Sequence, residues 1–133
     1  MKIGEEGQLL EFYERYLSAF HDLDAQKMNE FYEAPSIFVT DSETIILSDD
    51  ATLKGFFQKM MEGLVDRGYS HTKIEDMNIK KVSDSLVQMD GLAIRFVKDG
   101  NELERVGFTY FIRKADETWR FSVVVARPPV LQG

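Results

Sequence analysis

The chain has 133 residues, the length of one domain, and its 44% hydrophobic content, with 10 Phe, 5 Tyr and 1 Trp, is enough for a packed core. It contains no cysteine, which excludes disulfides, thiolate chemistry and Cys-ligated zinc. Its net charge of -7 opposes phosphate backbones and no run approaches the ~18 apolar residues of a membrane helix, so neither nucleic acid nor membrane is expected as a partner.

The opening, Met1 to Gly7, carries acids and no apolar secretory core, so no signal peptide is read and a cytoplasmic location is the default expectation. Leu9, Tyr13, Tyr16, Leu17 and Phe20 recur at three- and four-residue spacing and share one face of a first helix. Asp24 is read as the N-cap of a short second helix, with Leu23 and Met28 as its hydrophobic staple. Phe31 and Tyr32 continue that helix, which stops before Pro35 because a residue preceding proline avoids the helical region. Residues 37–40 and 44–47 read as short strands around the turn Asp41-Ser42-Glu43. Ser48-Asp49-Asp50 offers capping oxygens to a third helix with Leu53, Phe56, Phe57, Met60 and Leu64 on its buried face, and Gly68 ends it.

From Tyr69 the pattern is strand. Turn signals at Ser83-Asp84, Asp99-Gly100 and Ala115-Asp116-Glu117 divide it into runs at 69–82, 85–98, 101–114 and 118–127, and Pro128-Pro129 ends the last. Long antiparallel strands must twist and curl, and Gly91 and Gly107 are read as sites for a bend or bulge. A two-residue turn at Asp99-Gly100 pairs Lys98 with Asn101. It then sets Asp90 opposite Thr109, Leu92 opposite Gly107, Ile94 opposite Arg105 and Phe96 opposite Leu103. The reverse face pairs Arg95 with Glu104, Gly91 with Phe108, Met89 with Tyr110 and Val87 with Ile112. The face with Asp90 and Thr109 is expected to line an interior pocket. The face with Val87, Met89, Val106, Phe108, Tyr110 and Ile112 would then be an apolar patch covered by a second subunit, so a homodimer through the sheet is expected. At the last hairpin, a three-residue loop puts Trp119, Phe121, Val123 and Val125 on the Asp90 face, and a two-residue loop puts them on the other.

Tyr16 to Asp24 leading into Phe31-Tyr32-Glu33-Ala34-Pro35, Ser48 to Leu53 opening the third helix, and Thr118-Trp119-Arg120-Phe121 starting the last strand resemble the nuclear transport factor 2-like superfamily, which includes SnoaL-like cyclases, scytalone dehydratase and ketosteroid isomerases. The resemblance covers nearly the whole chain. It implies one α+β, cystatin-like domain over residues 1–133, with three N-terminal helices packed on a strongly curved antiparallel sheet around a cone-shaped pocket. The ketosteroid isomerases carry a first-helix tyrosine, matched by Tyr16, which suits donation to a developing enolate oxygen. The position of their carboxylate base is matched by Thr40, with Asp41 one residue late, and their protonated acid falls near Thr109. Histidines that many SnoaL-like relatives place in the last strand are replaced by Val123 and Val125.

Asp90 interrupts the apolar run from Leu86 to Val97 and is the candidate general base or acid, with Tyr16 its partner; the plainer reading is an Asp bonded to Thr109. The pocket is expected to be lined by Phe20, Phe38, Phe56, Met60, Phe96 and Phe111, with Tyr13, Thr40, Thr109 and Trp119. His21 reads as a helix-end cation and His71 as a residue of the pocket rim; they have no metal-ligand spacing, so neither metal nor cofactor is expected. Three functions follow: a pocket for a small, largely apolar molecule; an isomerase, dehydratase or cyclase using Asp90 or Asp41 with Tyr16; or a non-catalytic assembly domain working through its sheet.

Overall fold

The computed structural model describes residues 3–127. Helices α1 (Ile3–His21) and α2 (Ala25–Glu30) are followed by strands β1 (Tyr32–Val39) and β2 (Thr44–Leu47), then α3 (Asp50–Asp66). Four long strands complete the domain: β3 (Tyr69–Ser83), β4 (Leu86–Val97), β5 (Glu102–Ala115) and β6 (Thr118–Arg127). Pro128-Pro129 lies outside the described residues.

The helix caps form where the short polar side chains foretell them. Asp24 Oδ1 accepts from the Lys27 amide at 3.1 Å, and Asp49 Oδ1 accepts from the Thr52 amide at 2.8 Å. Gly68, at φ +81°, closes α3 by donating to the Val65 carbonyl at 3.0 Å. The second helix is shorter than expected. Phe31 is its C-cap and Tyr32 already belongs to β1, because the Phe121 amide donates to the Phe31 carbonyl and Tyr32 pairs with Phe121. Pro35 sits inside β1, in the irregular stretch between Tyr32 and Ile37, where the ladder to β6 asks for no amide donor.

The six strands run in the order β2-β1-β6-β5-β4-β3. The sheet is mixed, not wholly antiparallel: β1 and β6 run parallel and the other neighbours antiparallel. After α3 the chain starts again at the far edge and meanders inward, so β6 arrives beside β1 pointing the same way. The helices therefore interleave with strands rather than all preceding them.

The register between β4 and β5 is the expected one from Val87↔Ile112 to Arg95↔Glu104. Its origin differs. The turn spans three residues, Lys98 to Gly100, with the Gly100 amide on the Val97 carbonyl and Val97 paired to Asn101. A bulge between Arg95 and Phe96 then sets Phe96 opposite Glu102, not Leu103, and restores the offset. The β5–β6 turn is the two-residue alternative: Asp116 and Glu117 have φ +50° and +63°, and Ala115 pairs with Thr118. Trp119 and Phe121 consequently share a face with Lys114 and Ile112, whereas a register shift between Phe111 and Ile112 returns Val123 and Val125 to the Asp90 face, so the four residues do not stand together as expected.

This decides which face is core, and it is the reverse of the expectation. Val87, Met89, Phe108, Tyr110 and Ile112 lie under the helices, each at most 8% exposed. The patch assigned to a partner subunit is thus the domain's own core, with only Val106 left half-buried. Opposite it, Gln88, Asp90, Leu92, Thr109, Phe111, Val123 and Val125 form a face that no helix covers, and all are half-buried. Tyr13 and Tyr16 of α1 pack on the core face, with the rings of Tyr16, Tyr110 and Tyr32 centred 4.6, 4.7 and 4.9 Å from Phe121. Each such ring or aliphatic side chain removed from water contributes about 1.5–3 kcal/mol. From α3, Leu53, Phe57, Met61 and Leu64 are buried, whereas Phe56 and Met60 are only partly so.

The two glycines mark close approaches rather than bulges, since the ladder runs regularly through Gly91↔Phe108 and Leu92↔Gly107. The Phe108 ring lies directly over Gly91, and a side chain there would collide with it. At Gly107 the Arg127 side chain occupies the space, 3.1–3.4 Å from where a Cβ would stand.

Candidate functional site

The interior beneath α1 is the place where the Tyr16 side of a pocket is expected. Tyr13, Tyr16, Phe20, Thr72, Arg95 and Tyr110 converge there on a hollow of about 20 Å³. That is room for about one water molecule, against the several hundred Å³ of a typical ligand pocket. Tyr16 and Tyr32 share a hydrogen bond of 2.8 Å. Burial raises the pKa of Tyr13, Tyr16, Tyr32 and Tyr110 above the ordinary phenol value, so all four stay protonated at neutral pH.

Arg95 enters this hollow from β4. Its guanidinium pairs with Glu104, which also accepts from Arg67 at 2.8 Å, and stacks 5.1 Å from the Phe20 ring centre. Burial pushes Glu104 up, but Arg67 and Arg95 together outweigh it and hold its carboxyl below the usual range. The Arg95 Nε is buried with no acceptor.

Asp90 does not share this space. It lies on the uncovered face, on the far side of the sheet from Tyr16. There Thr109 Oγ1 donates to Asp90 Oδ1 at 2.6 Å, Gln88 Nε2 donates to Oδ2 at 3.2 Å, and Arg127 Nη1 donates to Thr109 Oγ1 at 3.0 Å. Tyr16 and Asp90 therefore cannot act on one substrate. Proximity of Asp90 to Thr109, the plainer expectation, is what the register produces.

The remaining candidates scatter. Tyr13, Phe20, Phe38 and Trp119 are buried core residues. Phe38 packs on Phe56 at 4.6 Å, and Met60 lies at the edge of the same cluster. Thr40 folds back in the β1–β2 turn, accepting from the Ser42 and Glu43 amides. Asp41 beside it is exposed. Phe96 and Phe111 are on the uncovered face, and Phe96 stacks on His71 at 4.9 Å. His21, in the last turn of α1, accepts from the Thr72 amide at Nε2 at 3.2 Å and so fastens the end of α1 to β3. Among the described residues no group of three His, Asp or Glu side chains converges as a metal site. None of the described helices is long and apolar enough to cross a membrane.

Sequence reasoning missed Tyr110 and Arg95 in the hollow, Tyr32 as the buried partner of Tyr16, and Gln88 and Arg127 on the outer face. Gln88 had a signal, lying two residues from Asp90 on one strand face. Arg127 had one only in combination, since Gly107 opposite it is the small residue over which it lies.

A six-stranded curved sheet wrapped on one face by three helices is the cystatin-like architecture of NTF2-like proteins. The chain belongs to the family described as NTF2-like protein (DUF6841), whose model matches residues 5–129. No curated protein matches it in sequence. Similar solved structures include a domain of unknown function with a cystatin-like fold from Nostoc punctiforme, with a TM-score of 0.77, 14% identity and coverage of 98% of this chain and 81% of that one. Aln2 from a Streptomyces species has a TM-score of 0.79 at 12% identity, covering 96% and 93% of the two chains. A putative calcium/calmodulin dependent protein kinase II association domain from Xanthomonas campestris has a TM-score of 0.73 at 10% identity, covering 94% and 88%. At these identities the likeness is one of fold.

Proposed function

We propose that this protein is a non-catalytic assembly module that pairs with a second copy of itself through the uncovered sheet face. One contrast carries this reading: the interior hollow is reduced to about 20 Å³, whereas the outer face leaves Ile37 37% and Ile46 64% exposed beside Val39, Val123, Val125 and Phe111. An apolar strip of this kind, flanked by polar groups, is the ordinary mark of an interaction surface. Of the arginines on this face, Arg105 is paired with Glu102 at 2.9 Å and Arg113 with Glu33 at 3.3 Å, so much of its charge is neutralised within the chain. The Xanthomonas association domain has the same fold, which is an analogy and not a demonstration.

Light scattering on the purified chain tests it. A dimer is expected, and Val123→Arg, which puts a charge in the strip, should convert it to a folded monomer. A wild-type chain that stays monomeric across the accessible concentration range would end the reading.

A second reading is favoured by the convergence of the Tyr13, Tyr16 and Tyr110 hydroxyls with the unpaired Arg95 Nε. If the Phe20 ring swings out, the hollow gains volume and offers donors to a small apolar molecule bearing an oxygen acceptor. Mass spectrometry of the freshly purified protein under native conditions tests this, with a bound adduct lost in Arg95→Leu as its support. Catalysis by Asp90 with Tyr16 has no geometric support, because the sheet separates them.

A further inference from the structure

We infer that Asp90 and Arg127 exchange partners across the twofold axis of the sheet dimer, so that this charge pair fixes how the two copies align; the inference rests on the assembly reading above. Asp90 lies within β4 and Arg127 at the end of β6, opposite Gly107 of β5, and both are on the uncovered face. Thr109 stands between them, donating to Asp90 Oδ1 at 2.6 Å and accepting from Arg127 Nη1 at 3.0 Å. Among the described residues neither charge has an opposite charge as a direct partner within its own chain. Both are half-buried even in the single chain.

The arrangement is built rather than incidental. Gly107 has no side chain, and Cγ, Nε and Cζ of Arg127 lie across it, 3.1–3.4 Å from the missing Cβ position. That path brings Nη1 to Thr109, the one hydrogen-bond partner of this guanidinium among the described residues. Gln88 holds the other Asp90 oxygen at 3.2 Å. Thus one fixed acid and one fixed base sit side by side on a surface otherwise floored by Leu92, Phe111, Val123 and Val125.

Covering this face with any apolar surface would strip water from a carboxylate and a guanidinium that meet only through the Thr109 hydroxyl, which is unfavourable. A second copy related by a twofold axis avoids that cost. In such a contact residue i meets j while j meets i, so an axis above Thr109 sets each Asp90 against the Arg127 of the other copy. The strip supplies the attraction and the pair rejects sliding and head-to-tail packing, as a single polar group does within other apolar interfaces.

Reciprocal charge reversal tests this. Asp90→Lys alone and Arg127→Glu alone should each be monomeric, since each places like charges together. An equimolar mixture of the two should form a 1:1 heterodimer, read by native mass spectrometry. In it the introduced lysine of one chain faces the introduced glutamate of the other, and the native Arg127 of the first faces the native Asp90 of the second. Circular dichroism establishes that both variants are folded. The chain has no native cysteine, so an independent arm is available should either variant fail to fold. Asp90→Cys and Arg127→Cys chains, mixed under mild oxidation, should give the 90–127 cross-link in preference to 90–90 or 127–127. A dimeric wild type whose reversed mixture stays monomeric, or whose cysteine chains cross-link like to like, overturns the exchange while leaving the assembly reading intact. A monomeric wild type overturns both.

Discussion

The hydroxyls of Tyr16 and Tyr32 meet at 2.8 Å beneath α1, both residues being at most 5% exposed. Their rings pack on Phe121, and the Tyr32 ring also lies 4.5 Å from Phe57 of α3, so this one contact links the first helix, the first strand and the last. Removing either oxygen leaves the other buried and unpaired. Tyr16→Phe and Tyr32→Phe should each cost about 1–3 kcal/mol, while the double variant should cost clearly less than their sum. Denaturant melts of the four proteins measure the coupling. Strict additivity would mean that the hydrogen bond contributes nothing.

All five tyrosines have their pKa raised, foremost by burial, and four of them strongly so or from full burial. The folded chain therefore holds these protons more tightly than the unfolded chain. The stability from this source is complete below about pH 10, the unfolded phenol value, and is lost as pH rises beyond it. Phenolate absorbance should consequently rise in one cooperative step that coincides with the loss of circular dichroism. A gradual titration in a chain that remains folded would contradict the buried cluster.

The two strand glycines should respond unequally. Gly91→Ala drives a methyl group into the Phe108 ring, which is fixed in the core, and should destabilise by about 1–3 kcal/mol. Gly107→Ala meets the Arg127 side chain no closer than 3.1 Å, a milder approach than that of the Phe108 ring to Gly91, and should cost less. Thermal melts rank them; an equal effect would mean that the Phe108 ring has room to move.

Glu117 holds φ +63° in the second position of the β5–β6 turn, a region costly for a residue with a Cβ. Glu117→Gly supplies the residue that this turn geometry favours and should stabilise the chain by about 1 kcal/mol without changing the register. Its measured stability in urea provides the check. Destabilisation would argue that the exposed Glu117 makes a contact of more value than the backbone relief.

Much of the architecture is legible in residue order. The capping oxygens of Asp24 and Asp49, the apolar faces of α1 and α3, and Gly68 as a stop are local features, each written within a few residues. The ladder from Val87 to Arg95 is also legible, although the turn that the Asp99-Gly100 signal implies is one residue short; the bulge after Arg95 cancels the error. Phe31 and Tyr32 read as helix because their strand partner, Phe121, lies far along the chain. The polarity of the two sheet faces is a usable signal for the core. Gln88, Asp90 and Thr109 cluster centrally on one face, while the corresponding positions of the other are Val87, Met89, Gly91, Phe108 and Tyr110.

By itself, the residue pattern determined the family of fold, the number and order of the elements, and which side chains of β4 and β5 stand together from Val87 to Arg95. Only the tertiary structure decided which face became the interior. A strand alternates with period two, so its pattern defines two faces without ranking them. The ranking came from a two-residue turn at Asp116-Glu117, which set Trp119 and Phe121 beside Ile112, and from α1, which laid Tyr13 and Tyr16 over that side. With that choice Tyr16 was sealed in the core and Asp90 was left on the opposite face beside Arg127.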